Sequence, residues 1–170
     1  QTYEDRNGTL WAGTNNGLFT FSLRDNQWHT VCDTLGQVSA LKEDKQGNLW
    51  IGTTNKGLYQ QSSKGKCKKI PSPLSITCLS VQEDSLIWIG TQEGGVYALN
   101  PQTGKLTDHT RLCGLNGNIV NQLEFDVYGH LWIDTNQKLI EYNPKNHSFS
   151  TYLTTDNSML LRRFIPTAIC

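Results

Sequence analysis

The sequence lacks cysteine pairs, long apolar runs and any charge imbalance, and each absence removes a class of protein. Its five cysteines, Cys32, Cys67, Cys78, Cys113 and Cys170, form no C-x-x-C pair. Their spacing fits no zinc pattern, so no metal is expected. An odd count argues against a full disulfide framework, and buried or half-exposed thiols are expected instead. Fifteen basic residues balance fifteen acidic ones. Neutrality gives no drive toward nucleic acid or an anionic membrane surface, and neither is expected as a partner. No stretch approaches the roughly 18 apolar residues of a membrane span. The apolar fraction, 36%, is low for a compact globule. The chain opens on Gln1, with neither an initiator Met nor a signal peptide. It reads as an excised piece, so the missing signal says nothing about compartment.

What is present is a repeated phrase. "DRNGTLWAGTNNGLF" (Asp5–Phe19), "DKQGNLWIGTTNKGLY" (Asp44–Tyr59), "DSLIWIGTQEGGVY" (Asp84–Tyr97) and "DVYGHLWIDTNQKLI" (Asp126–Ile140) follow one another. Their tryptophans, Trp11, Trp50, Trp88 and Trp132, stand 39, 38 and 44 residues apart. Repeats of roughly 40–45 residues with a Trp signature indicate propeller blades of about four strands. In the second unit Val38–Asp44, Asn48–Thr53, Gly57–Gln61 and Cys67–Ile70 are four short runs with turn residues between them. Such runs read as antiparallel strands, and no comparable helical period competes. The expected fold is all-β: a β-propeller fragment of about four four-stranded antiparallel blades, near 1–33, 34–72, 73–112 and 113–155. Residues 159–170 read as the start of a further blade, and 1–170 as a single partial propeller. A chain of this length can bury a core without metal or disulfide.

Side chains alternate faces along a strand. Leu49, Ile51 and Thr53 then share one face, and Trp50 and Gly52 the other. The next strand repeats Phe19, Tyr59, Tyr97 and Ile140. The first strand repeats Leu41, Val81 and Leu123, three residues before each Asp, with Thr2 in that place in the first unit. A Trp in register in every unit is expected to be blade–blade core rather than a sugar-stacking platform, because stacked repeats bury a continuous core. The Gly beside it leaves room for a neighbouring backbone or ring. Asp5, Asp44, Asp84 and Asp126 read as turn starters. No unit brings the further oxygen ligands that a calcium loop needs.

D-x-x-G-x-L-W-x-G-T followed by G-G-L/V-Y resembles the two-component regulator propeller repeat, over nearly the whole chain. The resemblance implies part of the extracytoplasmic sensor region of a hybrid two-component system of gut bacteria, whose parent is a histidine kinase. Such regions are paired seven-bladed propellers, followed by a β-sandwich, a membrane span and a kinase. It further implies a periplasmic, non-enzymatic segment that senses a small-molecule ligand of the oligosaccharide class. The departures are three. Four units make about half of such a propeller. The third unit is two residues shorter between Asp84 and Trp88. The fourth carries Asp134 where Gly13, Gly52 and Gly90 stand, and Lys138 where Gly17, Gly57 and Gly95 stand.

Catalytic and cofactor residues are not expected, and the ligand-binding residues are left unassigned. His29, His109, His130 and His147 stand beside no nucleophile with an acid orienter, and read as surface or satisfied strand histidines. Asp134 and Lys138 read as drift in a less regular blade, with a polar pair offered to a ligand as the alternative. The lysines of "SSKGKCKK" (Ser62–Lys69) read as a solvated outer edge. "NGT" at Asn7 and "NHS" at Asn146 match a glycosylation pattern that carries no weight in a bacterial sensor. The alternatives to sensing are a protein-interaction propeller or a propeller enzyme acting on glycans. An enzyme would need carboxylates on the first strands, near Lys42, Gln82 and Glu124, and one carboxylate is not a pair. A homodimer is expected, with Arg163–Cys170 reaching the partner's first blade, although Pro166 weighs against a central strand there.

Overall fold

The structure, a computed structural model, describes residues 1–62, 65, 67–73, 75–82, 86–115 and 117–153. Among these residues there is no helix. The strands form four sheets of four. The first sheet contains β1 (Thr2–Glu4), β2 (Leu10–Thr14), β3 (Gly17–Ser22) and β4 (Gln27–Cys32), in that order. The second contains β5 (Val38–Glu43), β6 (Leu49–Thr53), β7 (Gly57–Gln61) and β8 (Cys67–Ile70). The third contains β9 (Ile76–Val81), β10 (Ile87–Thr91), β11 (Val96–Leu99) and β12 (Leu106–Asp108). The fourth contains β13 (Val120–Phe125), β14 (Leu131–Thr135), β15 (Lys138–Asn143) and β16 (Ser148–Leu153). Consecutive strands pair antiparallel, as in a meander. These are four propeller-type blades, as the repeat predicts. Residues 159–170, read as a fifth start, lie outside the described residues.

The hairpin between the second and third strands of each blade is held by a threonine. Thr53 Oγ1 accepts from Lys56 N at 3.0 Å and donates to the Gly57 carbonyl at 2.8 Å. Thr14, Thr91 and Thr135 donate in the same way to the carbonyls of Gly17, Gly95 and Lys138. This bond explains why Thr ends the Trp strand in every unit, a regularity to which the sequence reading gave no role.

The chain divides into two compact units, Gln1–Val81 and Gln82–Cys170. In the first, Leu18, Leu35, Val38, Leu41, Leu49 and Ile51 form a buried cluster, with Tyr3, Trp11, Val31 and Tyr59 packed against it. The glycine two residues after Trp11 and after Trp50 lets the next blade approach. A Cβ on Gly13 would lie 2.4 Å from Val38 Cγ1, and one on Gly52 would lie 2.6 Å from Ile76 Cγ2. The space is therefore taken by β-branched side chains of the following blade, not by the backbone or ring expected. In the second unit, Trp88 meets Phe125 edge-on at 6.0 Å and Tyr142 at 6.1 Å.

Two expectations need correction. The first concerns the third turn. Gln82 N donates to Leu86 O, as Asp5 N does to Thr9 O, Asp44 N to Asn48 O and Asp126 N to His130 O. Gln82 is thus the counterpart of the repeated Asp, and nothing is deleted before Trp88. Asp84 lies outside the described residues. The buried first-strand column consequently runs through Leu79, which is 2% exposed, rather than the half-buried Val81. The residue beside Lys42 and Glu124 in register is the buried Ser80 rather than Gln82. The second correction concerns the Trp column. Trp50 and Trp88 are each 1% exposed, as core residues should be. Trp11 and Trp132 are only half-buried.

Candidate functional site

Three of the four repeat tryptophans are held by the aspartate that opens their turn. Asp44 Oδ1 accepts from the backbone of Gln46 and Asn48, and its Oδ2 accepts from Trp50 Nε1 at 2.8 Å. Asp5 holds Asn7, Thr9 and Trp11 in the same way, and Asp126 holds Tyr128, His130 and Trp132. Burial pushes the Asp5 and Asp126 carboxyls up. The bonds from their Trp and turn amides outweigh it, and both end below the ordinary carboxylate value. In the third blade Trp88 Nε1 donates to Gln82 Oε1 at 3.0 Å instead. Asp5, Asp44 and Asp126 are turn starters as expected. Their second task, capping the indole, was missed, although the constant six-residue spacing of Asp and Trp signals it.

Within the first unit, a cavity of about 290 Å³ lies where the first two blades meet, and its walls include Asp5, Asn7, Thr9, Trp11, Glu43 and Gln61. Gln61 is 6% exposed, and among the described residues its Oε1 has no hydrogen-bond partner. An orphaned buried acceptor costs about 1–3 kcal/mol. The carboxylates on this wall are engaged. Those of Asp5 hold its turn, and Glu43 pairs with Arg6 Nε at 2.7 Å and accepts from Arg6 N. Arg6 continues across to the carbonyls of Asp44 and Lys45.

The second unit gathers its histidines into two closed sets. Tyr142 Oη lies 3.0 Å from His109 Nδ1 and 2.7 Å from His147 Nδ1. A single phenol can donate to one ring and accept from the other, an arrangement that two neutral rings meet only as opposite tautomers. Burial pushes the Tyr142 phenol up to about 12. Burial also holds His109 below its ordinary value, with the His147 charge adding to the effect. The other set joins Asp126, His130 and Glu141, whose candidate ligand atoms lie within 4.8 Å of one another. His130 Nδ1 lies 2.7 Å from Glu141 Oε1, and its Nε2 lies 3.2 Å from Asn143 Nδ2. Both ring nitrogens are occupied, and Asp126 Oδ2 is taken by Trp132. This is a satisfied histidine of the kind expected, not an open ligand set. A smaller cleft of about 80 Å³ adjoins it. His29 is exposed and pairs with Asp25 at 2.8 Å.

Asp134 and Lys138 do not come together. Asp134 is bonded by Asn121, and burial is the leading cause that holds its carboxyl above the usual range. Lys138 Nζ donates to the Gly114 carbonyl at 2.8 Å. The four described cysteines are thiols, with Cys78 and Cys113 buried. Burial pushes Cys113 up to about 12, and burial together with the adjacent Cys32 does the same to Cys67. Lys68 and Lys69 lie exposed on the outer strand β8. In register, the first-strand residues opposite the repeated Trp include Tyr3, Lys42 and Glu124, a row with one carboxylate.

Four blades with a capped Trp strand define a β-propeller segment. The family model described as two component regulator propeller matches residues 1–16 and 34–55, the Trp repeats of the first two blades. Among curated proteins no sequence matches the chain. Similar solved structures include the extracellular domain of BT4673 from Bacteroides thetaiotaomicron, described as a hybrid two-component system. It is 21% identical with a TM-score of 0.74, over 90% of this chain and 24% of that one. The extracellular domain of BT3049, given the same description and organism, is 22% identical with a TM-score of 0.74, over 89% and 22%. Virginiamycin B lyase from Staphylococcus aureus is 14% identical with a TM-score of 0.74, over 91% and 55%. The chain spans about a quarter of the length of the extracellular domains it matches. At these identities the likeness shows the fold.

Proposed function

We propose that the chain is a ligand-sensing segment of the extracytoplasmic, periplasmic sensor region of a two-component system, and that its ligand is an oligosaccharide. The observation that carries this reading is the regulator-propeller repeat, which the family model matches in two consecutive blades. The likeness to two extracellular domains described as hybrid two-component systems supports it. The segment binds without turning its ligand over, and the kinase belongs to the rest of the parent protein.

A propeller enzyme is the second reading, favoured by the likeness to the lyase. Acid–base chemistry on a glycan needs two groups placed about the scissile bond. The first-strand row offers Glu124 alone as a carboxylate, and both histidine sets are closed by their own hydrogen bonds. A protein-interaction propeller is the third reading, and no observation here singles it out. Thermal-shift screening of the chain against an oligosaccharide library tests the proposal. Stabilisation by at least one intact oligosaccharide is expected. Stabilisation by none, with capture by a periplasmic protein instead, would favour the third reading.

A further inference from the structure

Two of the thiols face each other between the first two blades. Cys32 ends the outer strand β4, where it pairs with Leu18. Leu18 in turn pairs with Gly13 of β2. Residues paired across antiparallel strands share a face of the sheet, so all three point the same way. That way is toward the second blade, because a Cβ on Gly13 would meet Val38 and Leu41 there. Cys67 begins β8, the outer strand of the second blade, and pairs with Gln61. Tyr59, two residues before Gln61, shares its face. Tyr59 and Cys67 pack against the buried cluster that contains Leu18, and so does Cys32. The two cysteines therefore approach from facing sheets, although they stand 35 residues apart in sequence. Contact is direct: the Cys67 thiol makes a side-chain hydrogen bond with Cys32. Both residues are half-buried thiols, whereas Cys78 and Cys113 are buried.

We propose that Cys32 and Cys67 are the two halves of a disulfide that fastens the first blade to the second when the chain meets a disulfide oxidant. A disulfide needs two side chains that point at each other from facing backbones, and the blade interface supplies that arrangement. The reaction is a double thiol–disulfide exchange. The Cys32 thiolate attacks one sulfur of the oxidant. A mixed disulfide forms, and the oxidant's other sulfur leaves as a thiolate. Cys67 then gives up its proton, attacks Cys32 Sγ and releases the second sulfur. Two protein thiols are oxidised, the oxidant's S–S bond is reduced, and the two protons pass through water to the departing thiolates. The order follows from the site. Burial, with the Cys32 charge and the Cys32 hydrogen bond adding to it, pushes the Cys67 thiol up to about 12. The thiolate is the nucleophile, so Cys67 is the poor first attacker. Once Cys32 is held in the mixed disulfide it carries no charge, and it no longer opposes ionisation of Cys67. The inference goes beyond the sensor reading and rests on it only for the compartment, since disulfides form and persist in oxidising extracytoplasmic spaces.

The test treats the 170-residue chain, in a Cys170→Ser background, with an excess of oxidised glutathione. Its cysteines are then mapped by mass spectrometry without reduction. One intramolecular link between Cys32 and Cys67 is expected, in a chain two hydrogen atoms lighter than the reduced one, with Cys78 and Cys113 left as thiols. The linked chain should melt about 5 °C or more above the reduced chain, because the cross-link restricts the unfolded state. Cys32→Ser and Cys67→Ser should each abolish both the link and the oxidant-dependent rise. Glutathione retained on Cys32 or Cys67 with no link between them would overturn the proposal. So would free thiols throughout, a link that uses Cys78 or Cys113, or a linked chain that melts no higher than the reduced one. Saccharide binding is read in a separate screen, so the failure of either proposal leaves the other standing.

Discussion

At the residue scale, the repeated Asp and Trp are one device. The carboxylate closes a turn with one oxygen and caps an indole with the other, so a bulky side chain can be buried without orphaning its N–H. Asp44→Ala should destabilise by about 1–3 kcal/mol, the cost of leaving the Trp50 donor buried and unpaired. Trp50→Ala should cost about 3–5 kcal/mol through lost transfer energy and a cavity, whereas Trp11→Ala should cost clearly less, because Trp11 is already half-buried. Chemical denaturation of the three variants gives this order. A Trp50→Ala protein as stable as wild type would show the column to be a platform rather than core. The structural role of Trp50 was legible from its recurrence. The partial exposure of Trp11 was not, because it depends on tertiary packing rather than on the repeat. Histidine contacts were illegible for a related reason: His109, just after β12, reaches Tyr142 and His147 of the fourth blade only through tertiary packing. They carry a pH signature. The folded value of His109 lies below the unfolded one, so folding excludes a proton. Its contribution is fully present above about pH 6.5 and is lost as pH falls from there through the folded value. Melting temperature should therefore drop between pH 7.5 and pH 5.5, and His109→Gln should flatten that slope. A wild-type slope unchanged in the variant would contradict the assignment.

At the scale of the element, strand limits were legible to within a residue. In the second blade the runs Asn48–Thr53, Gly57–Gln61 and Cys67–Ile70 correspond to β6 (Leu49–Thr53), β7 (Gly57–Gln61) and β8 (Cys67–Ile70). Period-two alternation and turn residues suffice for this, because each hairpin is a local object. Alignment of the third turn went wrong for an instructive reason. The letter Asp was followed when the backbone bond and the six-residue distance to Trp were the invariants, and Gln82 satisfies both. The glycine after Trp shows how an element is fitted to its neighbour. Gly52→Ala would place a Cβ 2.6 Å from Ile76 Cγ2. Such overpacking typically costs about 1–3 kcal/mol, and Ile76→Ala in the same chain should restore part of it. Equilibrium denaturation of the single and double variants gives the coupling. Strictly additive losses would mean that the two sites do not meet.

At the scale of the whole molecule, the fold class was legible because four in-register copies of one phrase can only be four copies of one supersecondary unit. The facing pair Cys32 and Cys67 was not, because each lies on the outer strand of a different blade and only tertiary packing brings the two together. A homodimer remains our proposal for assembly: light scattering of the concentrated chain should give twice 19.1 kDa, and a mass that stays at 19.1 kDa would refute it. Arg163–Cys170, the proposed exchanging strand, lies outside the described residues, and its deletion should return the monomer. The central claim is that the segment binds an oligosaccharide and leaves it intact. Native mass spectrometry of the chain with an oligosaccharide library reads both halves of that claim at once. The account predicts a complex whose added mass equals one unmodified oligosaccharide. No adduct across the library, or shortened sugars that vanish with Glu124→Gln, would contradict it.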